Sequence, residues 1–295
     1  MSGLHAVPGL RAAHWTHESG TTGCTVVIAP AGARAGVCVA GHAPGSRELS
    51  AVDPTHLAGG VHAVVLSGGS AFGLATADGV MRTLADRGIG FPVGEHMVPI
   101  VPAAILFDLS VGAVRPDAAA GAAAAAAALE GEPEPLAEGR AGAGAGGRVG
   151  KAWGRTLPGG FGGALATRRG VTVGVGVAVN AFGGVRDPET GAWVRGGPDA
   201  PGVDPTGSPW RENTTLAIVA TDAPLTSAGC KVLAQMATAG MARALDPAFT
   251  PFDGDIVFAL STGEGEPIEP AALMTLGREA ARLLGQAIVR AVAER

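Results

Sequence analysis

The chain has 295 residues, 47% of them hydrophobic and 16% charged. That much apolar surface excludes disorder as its general state, because burying it offsets chain entropy. The 21 basic and 26 acidic residues leave a net charge of −5, which excludes the basic face a nucleic-acid binder needs.

The N-terminal stretch has no apolar run of the signal-peptide kind, and the expected location is cytoplasmic. Val/Ile-rich runs at 25–28, 36–39 and 63–66 predict strands. Residues 70–87 predict a helix with Phe72, Ala75, Val80 and Leu84 on one stripe and Ser70 as its cap. An Ala-rich helix is expected over 118–128, too short to cross a membrane. Residues 130–148 break the composition, and their acidic, Pro-containing part reads as a surface loop. Strands follow at 171–179, 216–220 and 256–260. Longer helices are predicted over 226–245 and 269–292, with Pro224 near the start of the first and Pro247 just past its end. Strands and helices mix without strict βαβ alternation, which points to an α+β fold of layered sheets covered by helices.

Several motifs lead nowhere. Gly142 to Gly147 fits GxGxxG, but no strand precedes it, so neither a dinucleotide site nor any other cofactor is expected. Around Ser70, Phe72 stands where a nucleophile elbow needs its second glycine. The run Ser67-Gly68-Gly69-Ser70-Ala71-Phe72-Gly73 is instead a turn feeding a helix, or the wall of a ligand pocket. Cys24, Cys38 and Cys230 are odd in number and lack CxxC spacing, which argues for free thiols. All seven histidines lie at or before His96. His14 and His17 are three apart, but no carboxylate follows them at ligand spacing, so no metal is expected.

Three segments carry chemistry together. Asn213-Thr214-Thr215 stands ahead of an apolar strand. Asp253-Gly254-Asp255 stands at the mouth of another. Asn180 closes a long β run. Each alone has a bland explanation: strand threonines, a turn, an asparagine in left-handed backbone. Jointly they supply a hydroxyl nucleophile, acidic orienters and an amide donor, the groups that nucleophilic hydrolysis requires.

With these motifs the chain resembles the N-terminal-nucleophile aminopeptidases, a family that includes L-aminopeptidase D-amidase/D-esterase, the β-peptidyl aminopeptidases and nylon-oligomer (6-aminohexanoate) hydrolase. The resemblance runs nearly end to end. It covers Val7-Pro8-Gly9-Leu10-Arg11, Gly23-Cys24-Thr25-Val26, Leu66 to Leu74, Gly142-Ala143-Gly144, Gly150-Lys151, Asn213-Thr214-Thr215 and Asp253 to Ala259. It implies a four-layer αββα sandwich in a single domain over residues 1–295. It also implies a precursor that cuts itself between Asn213 and Thr214, leaving an α-chain of residues 1–213 and a β-chain of residues 214–295. Thr214 would then be the nucleophile, Asn180 the oxyanion amide, Lys151 an electrostatic partner, and Asp253 and Asp255 the orienting acids. Ser70 and Phe72 are expected at the substrate. The implied assembly is a tetramer of αβ heterodimers acting on a small peptide or amide, with no nucleic acid or membrane partner.

The chemistry is consistent with the residues. A freed α-amine ordinarily titrates at about 7.7–8.0 and can take the Thr214 proton without any histidine. Thr214 with two aspartates looks more like the nylon-oligomer branch than the serine-nucleophile aminopeptidases. The chain has no Tyr, so a tyrosine role known in some members is vacant or filled by another group. Two alternatives remain: acyl transfer of the ornithine-acetyltransferase kind, and a non-catalytic binding protein.

Overall fold

The computed structural model describes residues 3–56, 60–198 and 212–293. Its organising element is the strand Gly23–Val39, which belongs to two sheets. Residues 24–28 of this strand pair antiparallel with the strands Arg11–Thr16 and Val61–Ser67. After an irregularity between Ile28 and Ala33, residues 34–39 pair with Ile256–Ser261. The first sheet continues from Val61–Ser67 to Ala103–Ile105 and Gly45–Arg47. The second continues from Ile256–Ser261 to Thr214–Thr221, Val171–Asn180 and Gly160–Arg168. The pairs at 25–28 and 36–39, expected as separate strands, are thus two ends of one. The intervening Pro30 and Gly32 look like a break in sequence, and the register does shift there, with Gly32 at a φ of 82°, but the chain carries on as the same strand.

Side-chain alternation then builds three cores, since successive residues of a strand face opposite ways. Between the sheets, Val27, Val64 and Leu66 meet Leu216, Ile218, Ile256 and Phe258. On the outer face of the first sheet, Val26, Ile28 and Val65 pack under helices α1 (Thr76–Asp86) and α2 (Ala118–Glu130). On the outer face of the second, Val175, Val177, Ala217, Val219 and Val257 pack under α3 (Ser227–Ala244) and α4 (Pro270–Val292). The result is four layers, αββα, as the resemblance implied.

Local chemistry sets the helix ends. Thr226 caps α3 by accepting from the Gly229 N–H, and Pro270 opens α4. Asp117 caps α2 through the Ala120 N–H at 3.0 Å. The helix expected over 70–87 is different. Ser70 to Ala75 form a 3₁₀ turn, α1 starts at Thr76, and Ser70 caps nothing. Its own φ of 54° is left-handed, a geometry at odds with an N-cap residue. The Gly142 segment packs against the first sheet. A Cβ on Gly142 would fall 2.1 Å from His14 Nδ1, and the Gly142 and Ala143 N–H groups donate to Thr16 and Thr25 hydroxyls at 2.8 and 3.1 Å. Those amides are spent inside the protein, not on a phosphate. Among the described residues, no helix is long and apolar enough to cross a membrane.

Candidate active site

Strand register gathers the predicted residues at one edge of the second sheet. Thr214, the first residue of its strand, is paired with Asn180, the last of the antiparallel neighbour. On the other side the Thr214–Thr221 strand runs parallel to Ile256–Ser261, and Asn213 bridges Asp253. Lys151 joins them from a 3₁₀ turn whose flanking Gly150 and Ala152 N–H groups donate to the Gly183 and Phe182 carbonyls, both at 2.9 Å. Thr214, Asn180, Lys151, Asp253 and Asp255 are all buried.

The Asn213–Thr214 peptide bond sits at the centre of this cluster. Thr214 Oγ1 donates to the Asn213 carbonyl oxygen, and the Gly254 N–H donates to the same oxygen at 2.9 Å. Asn180 Oδ1 accepts from the Arg148 N–H at 2.9 Å and from Lys151 Nζ at 3.1 Å. Its Nδ2 donates to the Phe107 carbonyl at 2.9 Å and the Glu212 carbonyl at 2.7 Å. Lys151 Nζ also donates to the Glu212 carbonyl at 2.7 Å. In the intact chain, therefore, the Asn180 amide serves the carbonyl of Glu212, and the Asn213 carbonyl receives the Gly254 N–H and the Thr214 hydroxyl.

The two aspartates hold the frame around Thr214. Asp255 Oδ1 accepts from the Thr215 N–H at 2.6 Å. Asp253 Oδ2 accepts from the N–H and hydroxyl of Thr250 at 2.8 and 2.6 Å. Their backbone carbonyls are taken by the N–H groups of residues 40–43. Burial pushes both carboxyls upward, and the charge of Asp253 pushes Asp255 further. Burial pulls the Lys151 ammonium down to about 7, against the opposing pull of Glu212 and Asp253. Two acids and a base drawn toward neutrality in one buried cluster are the electrostatic mark of a reaction centre.

Ser70 and Phe72 lie outside this cluster. The Ser70 N–H donates to the Leu106 carbonyl at 3.0 Å, and the Gly69 N–H to Asp108 Oδ1 at 2.7 Å. The turn is thus tied to the site through residues 106–110, which carry the Phe107 carbonyl on Asn180 and the Ser110 hydroxyl, 2.9 Å from Glu212 Oε2. Phe72 is 54% exposed and lies beneath the Arg115 guanidinium at 3.7 Å. Sequence reasoning missed Gly254, Thr250, Phe107 and Ser110. Only Gly254 left a trace, as the residue between two aspartates. A Cβ there would stand 2.7 Å from Thr214 Oγ1 and 2.8 Å from the Ala43 carbonyl oxygen, so glycine is needed for the close approach. Among the described residues no three His, Cys, Asp or Glu side chains are gathered as metal ligands.

This layered arrangement is the architecture of the N-terminal-nucleophile hydrolases. The L-aminopeptidase D-Ala-esterase/amidase of Ochrobactrum anthropi, described as a variant of that fold, matches with a TM-score of 0.75 at 19% identity, over 98% of this chain and 85% of its own. A β-aminopeptidase of a Burkholderia species matches with a TM-score of 0.72 at 24% identity, over 98% of this chain and 86% of its own. The family model of Peptidase family S58 matches residues 3–295. An uncharacterized aminopeptidase of Mycobacterium tuberculosis is 39% identical, over 99% of this chain and 94% of its own length. A 6-aminohexanoate-oligomer endohydrolase of a Kocuria species is 31% identical, over 87% of this chain and 74% of its own. The chain belongs to Peptidase family S58 and is a hydrolase acting on peptide or amide bonds.

Proposed function

We propose that the chain is a self-cleaving N-terminal-nucleophile amide hydrolase. It cuts its own Asn213–Thr214 bond and then turns Thr214 on external peptides or linear amides. The observation that carries this reading is the buried Asn213 carbonyl, polarised by the Gly254 N–H at 2.9 Å with the Thr214 hydroxyl alongside it. In self-cleavage, Thr214 Oγ1 bonds to the Asn213 carbonyl carbon and the oxyanion forms against the Gly254 N–H. The C–N bond then breaks, and the hydroxyl proton ends on the Thr214 nitrogen. Water hydrolyses the resulting ester, leaving a carboxylate on Asn213 and a free amine and hydroxyl on Thr214.

In the mature enzyme that α-amine is the base. Its ordinary pKa of about 7.7–8.0 lets it take the hydroxyl proton at neutral pH. Oγ1 forms an acyl-Thr214 ester with the substrate while the substrate's C–N bond breaks. The amine returns the proton to the departing nitrogen, and water releases the acid. The aminopeptidase and 6-aminohexanoate-oligomer endohydrolase relatives support peptides or linear amides as substrates. The same reading makes residues 1–295 one domain, cut into chains of residues 1–213 and 214–295 and assembled in the cytoplasm as a tetramer of these pairs. Intact-mass analysis and N-terminal sequencing test it. The expected result is two chains, the shorter beginning at Thr214, together with amidase activity. One uncut, inactive chain, or a start elsewhere, contradicts it.

A further inference from the structure

The two residues ahead of Thr214 are gripped by the site. Two buried donors, Lys151 Nζ and Asn180 Nδ2, converge on the Glu212 carbonyl, both at 2.7 Å. The Ser110 hydroxyl reaches the Glu212 carboxylate at 2.9 Å. The Asn213 carbonyl has the Gly254 N–H, and the Asn213 side chain is buried. On the function proposed above, self-cleavage and substrate turnover pass through an ester on the same atom, Thr214 Oγ1. Its acyl group is Glu212–Asn213 in the first reaction and the acyl half of the substrate in the second. Whatever grips the first is in place to select the second.

We infer that the mature enzyme prefers internal amide bonds, taking an acyl half with a second amide carbonyl one residue upstream of the reacting one, where Lys151 and Asn180 bind it. A substrate that begins with a free amine lacks that acceptor and forfeits the two buried hydrogen bonds that the Glu212 carbonyl receives. It also brings an ammonium toward the Lys151 side chain, with the Arg148 charge in the same field. The nearby carboxylates are already engaged, Asp253 by Thr250, and Asp255 by the N–H groups of Thr215 and Phe249. This assigns Asn180 to the upstream carbonyl and the Gly254 N–H to the reacting one, a different division of labour from the one the family resemblance implies.

The test compares acetyl-asparaginyl p-nitroanilide with asparaginyl p-nitroanilide on the self-cleaved enzyme. Losing the upstream acceptor should lower kcat/KM by about 10–100-fold, mainly through KM. Equal or faster turnover of the free-amine substrate overturns the inference. In matured Asn180→Ala protein the acetyl preference should shrink toward one. If both substrates fall alike and the ratio survives, the upstream assignment is wrong. For Ser110→Ala, acetyl-glutamyl-asparaginyl p-nitroanilide should lose about threefold of its advantage over the acetyl-alanyl analogue. An unchanged ratio removes Ser110 from the site. If the cut enzyme turns over neither anilide, calorimetry with acetyl-asparagine and asparagine decides, and binding of the acetylated acid no tighter than asparagine overturns the inference. A chain that stays uncut overturns the proposed function itself, a result distinguishable from all of these.

Discussion

The parallel strands Thr214–Thr221 and Ile256–Ser261 have polar residues at both ends, and the two ends are built differently. At the far end, Thr221 Oγ1 accepts from the Ala223 N–H at 3.1 Å. Ser261 Oγ donates to the Ala223 carbonyl at 2.6 Å and accepts from the Leu225 N–H at 3.1 Å. Asp222 Oδ1 accepts from the Thr172 N–H at 2.7 Å. At the near end, both amide atoms of Asn213 are buried with no hydrogen-bond partner among the described residues, and Lys151, Asp253 and Asp255 are all driven toward neutrality. Burial is common to both ends. What separates them is use: the far-end hydroxyls close a turn through backbone hydrogen bonds, while the near end gathers an amine and two carboxyls that burial drives toward neutrality. Open space is a poorer guide, since a cavity of about 1080 Å³ lies at the far end, lined by Asp222, Ser261 and Thr262.

The comparison can be broken hardest at Thr214. Thr214→Ala should remove self-cleavage and turnover together, a loss on the order of 10³-fold or more for a nucleophile. Denaturing gels should show one chain, and Thr214→Ser should restore part of both activities. Next comes Gly254→Ala. Its Cβ would crowd Thr214 Oγ1 at 2.7 Å and shift the N–H that faces the Asn213 carbonyl. We expect processing to slow by about 10²–10³-fold, the usual effect of losing an oxyanion donor. A time course of precursor conversion measures this, and conversion at the wild-type rate would remove that N–H from the mechanism.

A pH experiment sharpens the near end. Lys151 is held near 7 in the folded chain, against about 10.4 when unfolded. Between these values the unfolded state binds the additional proton, so Lys151 makes stability rise with pH from about 7 to 10.4 and contributes no slope below 7. Urea unfolding in a Thr214→Ala background, which prevents cutting, should show this slope. Adding Lys151→Met should flatten it, and an unaltered slope would mean that the lysine stays charged when folded. The smallest effect belongs to the far end. Ser261→Ala should cost about 1–2 kcal/mol of stability by unpairing the Ala223 and Leu225 backbone groups, while self-cleavage proceeds at the wild-type rate.

The far end and the near end also differ in how legible they are. Pro224 and Thr226 announce the start of α3 from local sequence, and the far-end hydrogen bond of Thr221 to the Ala223 N–H follows from a strand running into that turn. At the near end the residue types were readable: a threonine ahead of an apolar run, an Asp-Gly-Asp mouth, an asparagine closing a strand. Their partnerships were not. The Asn180 amide meets carbonyls 73 and 32 residues away in the chain, and nothing in a local window marks Phe107 or Glu212 for it. Ser70 and Phe72 mislead for the opposite reason. A Gly-rich turn before an apolar stripe reads as a capped helix, but left-handed backbone at Gly69 and Ser70 delays the helix to Thr76.

By itself, the sequence determined the Val/Ile-rich strands, the four helices, the layered class and the residues able to carry amide chemistry, but not the strands Arg11–Thr16 and Gly160–Arg168. Periodicity, caps and side-chain chemistry are local properties, written within a few residues of where they act. Only the tertiary structure decided that Gly23–Val39 would run unbroken through both sheets. It alone paired Thr214 with Asn180 and Asn213 with Asp253, and so turned the Gly254 N–H toward the Asn213 carbonyl and the Asn180 amide toward Glu212. Those outcomes depend on register between strands distant in sequence. A slip of one residue in that register would turn every side chain to the other face of the sheet, leaving the same residues present with no site.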